Sequence, residues 1–135
     1  MMLRYYAVAY AYALLKDPYI WGGDDFSGRD CSGQVQEILA GVGLDPSGDQ
    51  TADGLYRHYK SKRVDKIRAG CVVFYGHETK ITHVGFAIGM GLMIEQGGGG
   101  SMTLTVSDAI RDNAFSRIRP IKYRHDFVCA VDPFS

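Results

Sequence analysis

Cys31 is the residue of this chain best placed for nucleophilic chemistry. It lies in Gly28-Arg29-Asp30-Cys31-Ser32-Gly33, just before Val35, Ile38, Leu39 and Val42. Those four fall at i, i+3, i+4 and i+7, which predicts a helix that starts near Cys31 and buries one face. A thiol in the first turn of a helix feels the positive end of the macrodipole and unpaired N–H groups, and both favour thiolate over thiol. The same amides can bind an oxyanion, so nucleophile and oxyanion hole can share one helix start. Taken alone, a cysteine is more often a small buried hydrophobe. Here the polar residues Asp30 and Ser32 flank it, and glycines at 22, 23, 28 and 33 let other backbone come close to the helix start.

A nucleophile needs a base. In His83-Val84-Gly85-Phe86-Ala87-Ile88, alternation puts Val84, Phe86 and Ile88 on one apolar face. His83 then projects from the other, above the small residues Gly85 and Ala87, as in the wall of a cleft. His58, His77 and His125 read as exposed. The third member follows from register. With Gly89-Met90-Gly91 as a three-residue hairpin loop, Ile88 opposes Leu92, Phe86 opposes Ile94 and Gly85 opposes Glu95. Glu95 is then diagonal to His83 on its own face, within reach of a long side chain. A two-residue loop would reverse the parity and present Gln96 instead.

The elements that must position these residues form two groups. Leu3 to Lys16, rich in Ala, Leu and Tyr and stopped by Asp17-Pro18, reads as a helix. Its apolar residues lie nearly all round, which predicts burial on more than one side. A Gly-rich loop from Trp21 to Gly28 leads to the Cys31 helix, with Gly43 at its C-terminal cap. Thr51 caps a third helix through about Tyr59, with Leu55, Tyr56 and Tyr59 inward. The period then changes to two: Cys71–Tyr75, His83–Ile88 and Leu92–Glu95 read as strands. Ser107 is expected to cap a brief helix through Asn113. Arg117–Ile121, which Pro120 puts near an edge, and Phe127–Val131 read as closing strands. Helices first and an antiparallel sheet after them make an α+β arrangement. Gly97 to Gly100 lacks the Lys-Ser/Thr of a Walker motif and reads as a flexible turn.

Composition narrows the function. The 135 residues suit one domain, residues 1–135, and a 46% hydrophobic share can build a core. Lys+Arg and Asp+Glu both total 15, a balance that argues against nucleic acid as partner. Cys31, Cys71 and Cys129 cannot all pair within one chain, and they lack metal-ligand spacing. A reduced compartment is the expectation, with Cys71 and Cys129 as buried, inert thiols. The longest apolar run, Tyr5 to Leu15, is too short to span a bilayer. With Arg4 as its only basic residue it makes a poor export signal, so cytoplasmic synthesis is expected.

Three blocks together, Tyr19-Ile20-Trp21-Gly22-Gly23, Gly28-Arg29-Asp30-Cys31-Ser32-Gly33 and Thr82-His83-Val84-Gly85, resemble the signature of the NlpC/P60 cysteine peptidases. The similarity covers nearly the whole chain. It implies a papain-like fold, with N-terminal helices packed on a central antiparallel sheet. It also implies hydrolysis of peptidoglycan peptides or muropeptides, commonly at the bond between γ-D-glutamate and the diamino acid after it. Cys31 would be the nucleophile and His83 the base, with no metal or organic cofactor. Residues matching Tyr19, Asp30 and Ser32 line the family's substrate site; as plain structural residues they would be a packing tyrosine, a helix cap and a first-turn hydroxyl. The sequence departs from the family at Glu95, where His is usual and Asn or Gln occurs, and at Cys71, where Asp is usual. A stand-alone, unexported version is similar to phage tail-associated or prophage-encoded members, which makes virion association and phage tail partners expectations too. Two rival readings share the fold: a binding or structural module without turnover, and an acyl- or amide-transferring enzyme.

Overall fold

The computed structural model describes residues 2–25 and 28–135. Helices α1 (Met2–Ala13), α2 (Cys31–Ala40) and α3 (Ala52–Tyr59) come first. Between α1 and α2, strands β1 (Asp24–Asp25) and β2 (Gly28–Arg29) form a small hairpin. The segment expected as a plain loop therefore pairs with itself; Phe26 and Ser27 lie outside the described residues. The remaining strands are β3 (Arg63–Val64), β4 (Val72–His77), β5 (Lys80–Gly89), β6 (Leu92–Gly97), β7 (Phe115–Pro120) and β8 (Phe127–Val131). Helix α4 (Val106–Asp112) precedes β7, and a 3-10 turn (Ile121–Tyr123) follows it. The large sheet has the order β3-β8-β4-β5-β6-β7, antiparallel throughout. Pro120 accordingly sits on an edge strand, where a missing N–H costs no ladder bond.

The helices cover one face of the sheet. Val35, Ile38 and Leu39 of α2 and Leu55 and Tyr59 of α3 pack with Val72, Phe74, Val84, Phe86 and Ile94. The other face gathers Cys71, Val73, Tyr75, Ala87, Met93 and Ala130 under Ile121. Alternation along β4 and β5 produces this division, as the sequence pattern requires.

Three expectations need correction. Helix α1 buries a single narrow stripe of Arg4, Ala7, Ala11 and Leu14, while Leu3, Tyr5, Tyr6 and Tyr12 stay exposed. Small side chains at 7 and 11 bring the helix close to its neighbours, and among the described residues no second layer covers its outer side. Arg4 fastens it instead, with Nη2 on Asp132 Oδ2 at 2.9 Å and Nη1 on the Ala69 carbonyl at 3.0 Å. The cap of α4 is Thr105 rather than Ser107: its hydroxyl accepts from the Asp108 N–H, and Asp108 accepts from the Thr105 N–H in return. This reciprocal pair satisfies two amides that a single serine could not.

The third correction concerns the hairpin between β5 and β6. Gly89 pairs with Leu92, which leaves only Met90 and Gly91 in the turn, both at positive φ (58° and 74°). That is the geometry favoured by two-residue turns. By itself it would have reversed the parity of every later pair. A bulge between Ala87 and Gly89 absorbs one residue, so Ala87 pairs with Met93 and Phe86 with Ile94. The expected Phe86–Ile94 register therefore stands on a different turn, and Ile88 has no partner opposite it.

Candidate active site

Asp30 starts α2. Its side chain accepts from the Gly33 N–H at 2.8 Å and the Ser32 hydroxyl at 3.2 Å, and the Gly22 N–H comes to its other oxygen at 3.1 Å. One carboxylate thus caps the helix and ties the preceding loop to it. The Asp30 N–H in turn donates to the Gly23 carbonyl, and a Cβ on Gly33 would run into that same carbonyl. Close backbone packing of loop on helix is what the glycines at 23 and 33 permit. Burial pushes the Asp30 carboxyl above the ordinary range, against the pull of the Gly33, Ser32 and Gly22 bonds. Cys31, the first residue of α2, is partly exposed.

His83 comes from the middle of β5, paired with Tyr75 of β4, and its ring lies 5.7 Å from the Tyr75 ring. Its Nε2–H donates to Glu95 Oε1 at 2.6 Å, and Cys31 lies near enough to act on the charge of the ring. With Nε2 committed to a carboxylate, Nδ1 is the nitrogen left for the thiol. Burial works to lower the His83 pKa, but the hydrogen bonds and charges of Cys31 and Glu95 win and raise it to about 9. His83 is 7% exposed and Glu95 0%. For Glu95, burial opposes ionisation while His83, Tyr123 and Arg119 favour it, and its carboxyl ends below the ordinary range.

The sequence-derived residues therefore come together: His83 is bonded to Glu95, and Cys31 lies near enough to act on the charge of the ring. Gln96 points to the opposite face, where its Nε2–H donates to the carbonyls of Asp17 (2.9 Å) and Pro18 (3.3 Å). Tyr19 lies beside this group, its hydroxyl pushed up by burial first and then by the nearby charges of Cys31 and Asp30. It is buried with Ala109 and Ala114. Ser32 is buried and turned to Asp30, so Asp30 and Ser32 serve the helix start whatever else they touch. Cys71 and Cys129 are buried, and burial raises both thiols. His58, His77 and His125 are exposed.

Two features of the site escaped the sequence reading. Gly97 to Gly100 is more than a flexible turn: a Cβ on Gly99 would strike the Tyr19 ring, and one on Gly97 would strike the Glu95 carboxylate. The partners of Glu95, Tyr123 and Arg119, also went unread. The Arg117-x-Arg119 alternation on a strand beside Glu95 was the available signal. Among the described residues, no group of three or more His, Cys, Asp or Glu is arranged to hold a metal ion.

Comparison with known proteins points the same way. Residues 16–119 match the model of the NlpC/P60 family. The chain is 31% identical over 110 residues to a γ-D-glutamyl-L-lysine dipeptidyl-peptidase of Bacillus subtilis (strain 168), covering 76% of this chain and 36% of that protein. It is 39% identical over 88 residues to the bifunctional muramidase/DL-endopeptidase CwlT of the same organism, covering 62% of this chain and 26% of CwlT. It thus spans about a third or less of these relatives. Among solved structures, the NlpC/p60 domain of the peptidoglycan hydrolase SagA aligns with a TM-score of 0.70 at 25% identity, over 96% of this chain and 97% of that one. The P60 domain of the Mycobacterium avium subspecies paratuberculosis antigen MAP1204 gives a TM-score of 0.74 at 21% identity, over 99% and 96% of the two chains. A helix-borne Cys31 against a strand-borne His83, on a fold shared with these domains and under a family match that spans both residues, places the chain in the NlpC/P60 family.

Proposed function

We propose that the protein is a cysteine peptidase that hydrolyses peptidoglycan stem peptides at the bond following γ-D-glutamate. The observation that carries this reading is the His83–Glu95 bond with Cys31 beside it at the start of α2. The relatives named above, wall hydrolases and a γ-D-glutamyl-L-lysine dipeptidyl-peptidase, supply the substrate class.

The reaction begins from the pair in which His83 holds the proton and Cys31 is the thiolate. The Cys31 Sγ attacks the amide carbonyl carbon, and the carbonyl oxygen takes up the negative charge. The Cys31 and Ser32 amides have no acceptor within the helix and face the positive end of its dipole, which suits them to hold that oxyanion. The tetrahedral intermediate collapses as His83 gives its proton to the leaving amine, and a thioester remains on Cys31. Neutral His83 then takes a proton from water, the hydroxide attacks the thioester, and Sγ departs as thiolate with His83 protonated again. Glu95 keeps Nε2 occupied, holds Nδ1 toward the thiol and stabilises the imidazolium. Tyr19, Asp30 and Ser32 border the nucleophile and are assigned to the substrate's peptide. Wall peptides as partner have the support of the relatives; association with a phage tail has none of its own.

The test is cleavage of γ-D-glutamyl-L-lysine and γ-D-glutamyl-diaminopimelate peptides, with products identified by mass spectrometry. Cys31→Ala is expected to abolish release of the diamino acid. Full activity in that variant refutes the mechanism.

A further inference from the structure

Glu95 presents an electrostatic problem that its bond to His83 does not solve alone. It is fully buried, and a buried carboxylate is stable as an anion only when several partners offset its desolvation. Its partners come from the strand and turn that close the sheet. Arg119 on β7 pairs with Met93, which makes it the diagonal neighbour of Glu95, and its Nε lies 3.5 Å from Glu95 Oε2. Tyr123, at the end of the 3-10 turn after β7, donates its hydroxyl to Glu95 Oε1 at 3.0 Å, the oxygen that His83 also uses. The two partners brace each other, since the Arg119 guanidinium carbon stands 4.5 Å from the Tyr123 ring centre, within cation–π range. Arg117, directly opposite Glu95, is turned to the carbonyls of Phe115 and Asn113 instead. Tyr123 itself lies beyond residues 16–119, the stretch matched by the family model.

We propose that Tyr123 is a positioning residue for the reaction, clamping Glu95 together with Arg119 so that the carboxylate holds His83 aligned on Cys31. The proposal rests on the peptidase reading above. The Tyr123 hydroxyl bonds Glu95, and it is through that carboxylate that the residue acts. The clamp lets a fully buried carboxylate work beside His83 as an anion.

Tyr123→Phe tests this, because it removes one hydroxyl and leaves the ring under Arg119. Cys31 alkylation by iodoacetate, followed by peptide mass spectrometry across pH, reads the His83 imidazolium without any turnover. The anionic reagent is drawn to the imidazolium, so its rate falls as His83 deprotonates. We expect that fall to move to lower pH in Tyr123→Phe. We also expect kcat to drop about 10-fold with KM unchanged, the size of one hydrogen bond to a charged group. Arg119→Gln should move both in the same direction. In a Glu95→Gln background, Tyr123→Phe should cost less than about 3-fold, since residues acting through one another are not additive. An unmoved alkylation limb, an unchanged kcat or a full 10-fold loss in the Glu95→Gln background each overturns the clamp. Failure of the peptidase reading would register separately, as full cleavage by Cys31→Ala.

Discussion

Replacing Glu95 with glutamine keeps the shape of the side chain and removes its charge, which makes it the sharpest probe of the His83 environment. An ordinary imidazole titrates near 6.5, and His83 is raised to about 9, a gap worth about 3 kcal/mol. That gap is the surplus of the Cys31 and Glu95 contacts over the burial that opposes them. The Glu95 contact is a 2.6 Å bond between a ring N–H and a carboxylate. Such a charged bond is worth about 1.5–3 kcal/mol, so its loss should lower the His83 pKa by about one to two pH units. The sign is fixed: a raised pKa keeps the imidazolium up to about pH 9, and weakening its partner surrenders it earlier. In the native protein, iodoacetate should alkylate Cys31 quickly below about pH 9 and slow above it. In Glu95→Gln that fall should come near pH 7 to 8, with kcat at pH 8 down about 10- to 100-fold. Cys71 and Cys129 supply internal controls, since both are buried and should stay slow throughout. A fall that remains near pH 9 in Glu95→Gln would refute the assignment of Glu95 as the group that charges His83.

Two further predictions concern the scaffold. Asp30→Ala removes the cap of α2 and the tie to Gly22; denaturant unfolding should show a loss of about 1–2 kcal/mol, whereas Asp30→Asn, which can still accept both amides, should lose under about 0.5. Arg4→Ala leaves Asp132 buried without its counter-charge and should cost about 3–5 kcal/mol at pH 7. Burial pushes the Asp132 carboxyl up, but the Arg4 bond and charge and the Phe134 N–H bring it below 3.8. Its contribution is present above that pH and lost as pH falls through the lowered value, so the melting gap between Arg4→Ala and the native protein should narrow at pH 3.

Much of the candidate site was legible in the sequence. Cys31 could be placed because a 3.6 period begins right after it, and His83 because alternation isolates it from Val84, Phe86 and Ile88. Local patterns of this kind depend on backbone geometry that every sequence obeys. The C-terminal end of α2 was legible only to within a few residues: the helix ends at Ala40 with Gly41 as its cap, and Gly43 makes the turn that follows at φ +75°, with its N–H on the Ala40 carbonyl and the Leu44 N–H on that of Leu39. Glu95 was reached by a register argument whose turn was wrong, because a bulge leaves no mark in the identity of Ile88. Helix α1 misled for the opposite reason. An all-round apolar pattern says what a helix could bury and nothing about how many neighbours the fold supplies.

By itself, the sequence determined the order of helices and strands, the faces they bury, and the pairing of a helix-start thiol with a strand histidine above small residues. Each follows from spacing within one segment. The tertiary structure alone decided that Gly97 and Gly99 lie close against Glu95 and Tyr19, that Gln96 serves the Asp17-Pro18 backbone, and that Tyr123 and Arg119 converge on one buried carboxylate. Those contacts join residues up to 80 positions apart, and at Glu95 their cause is the cost of burying a charge, which is set by whatever the finished fold brings beside it.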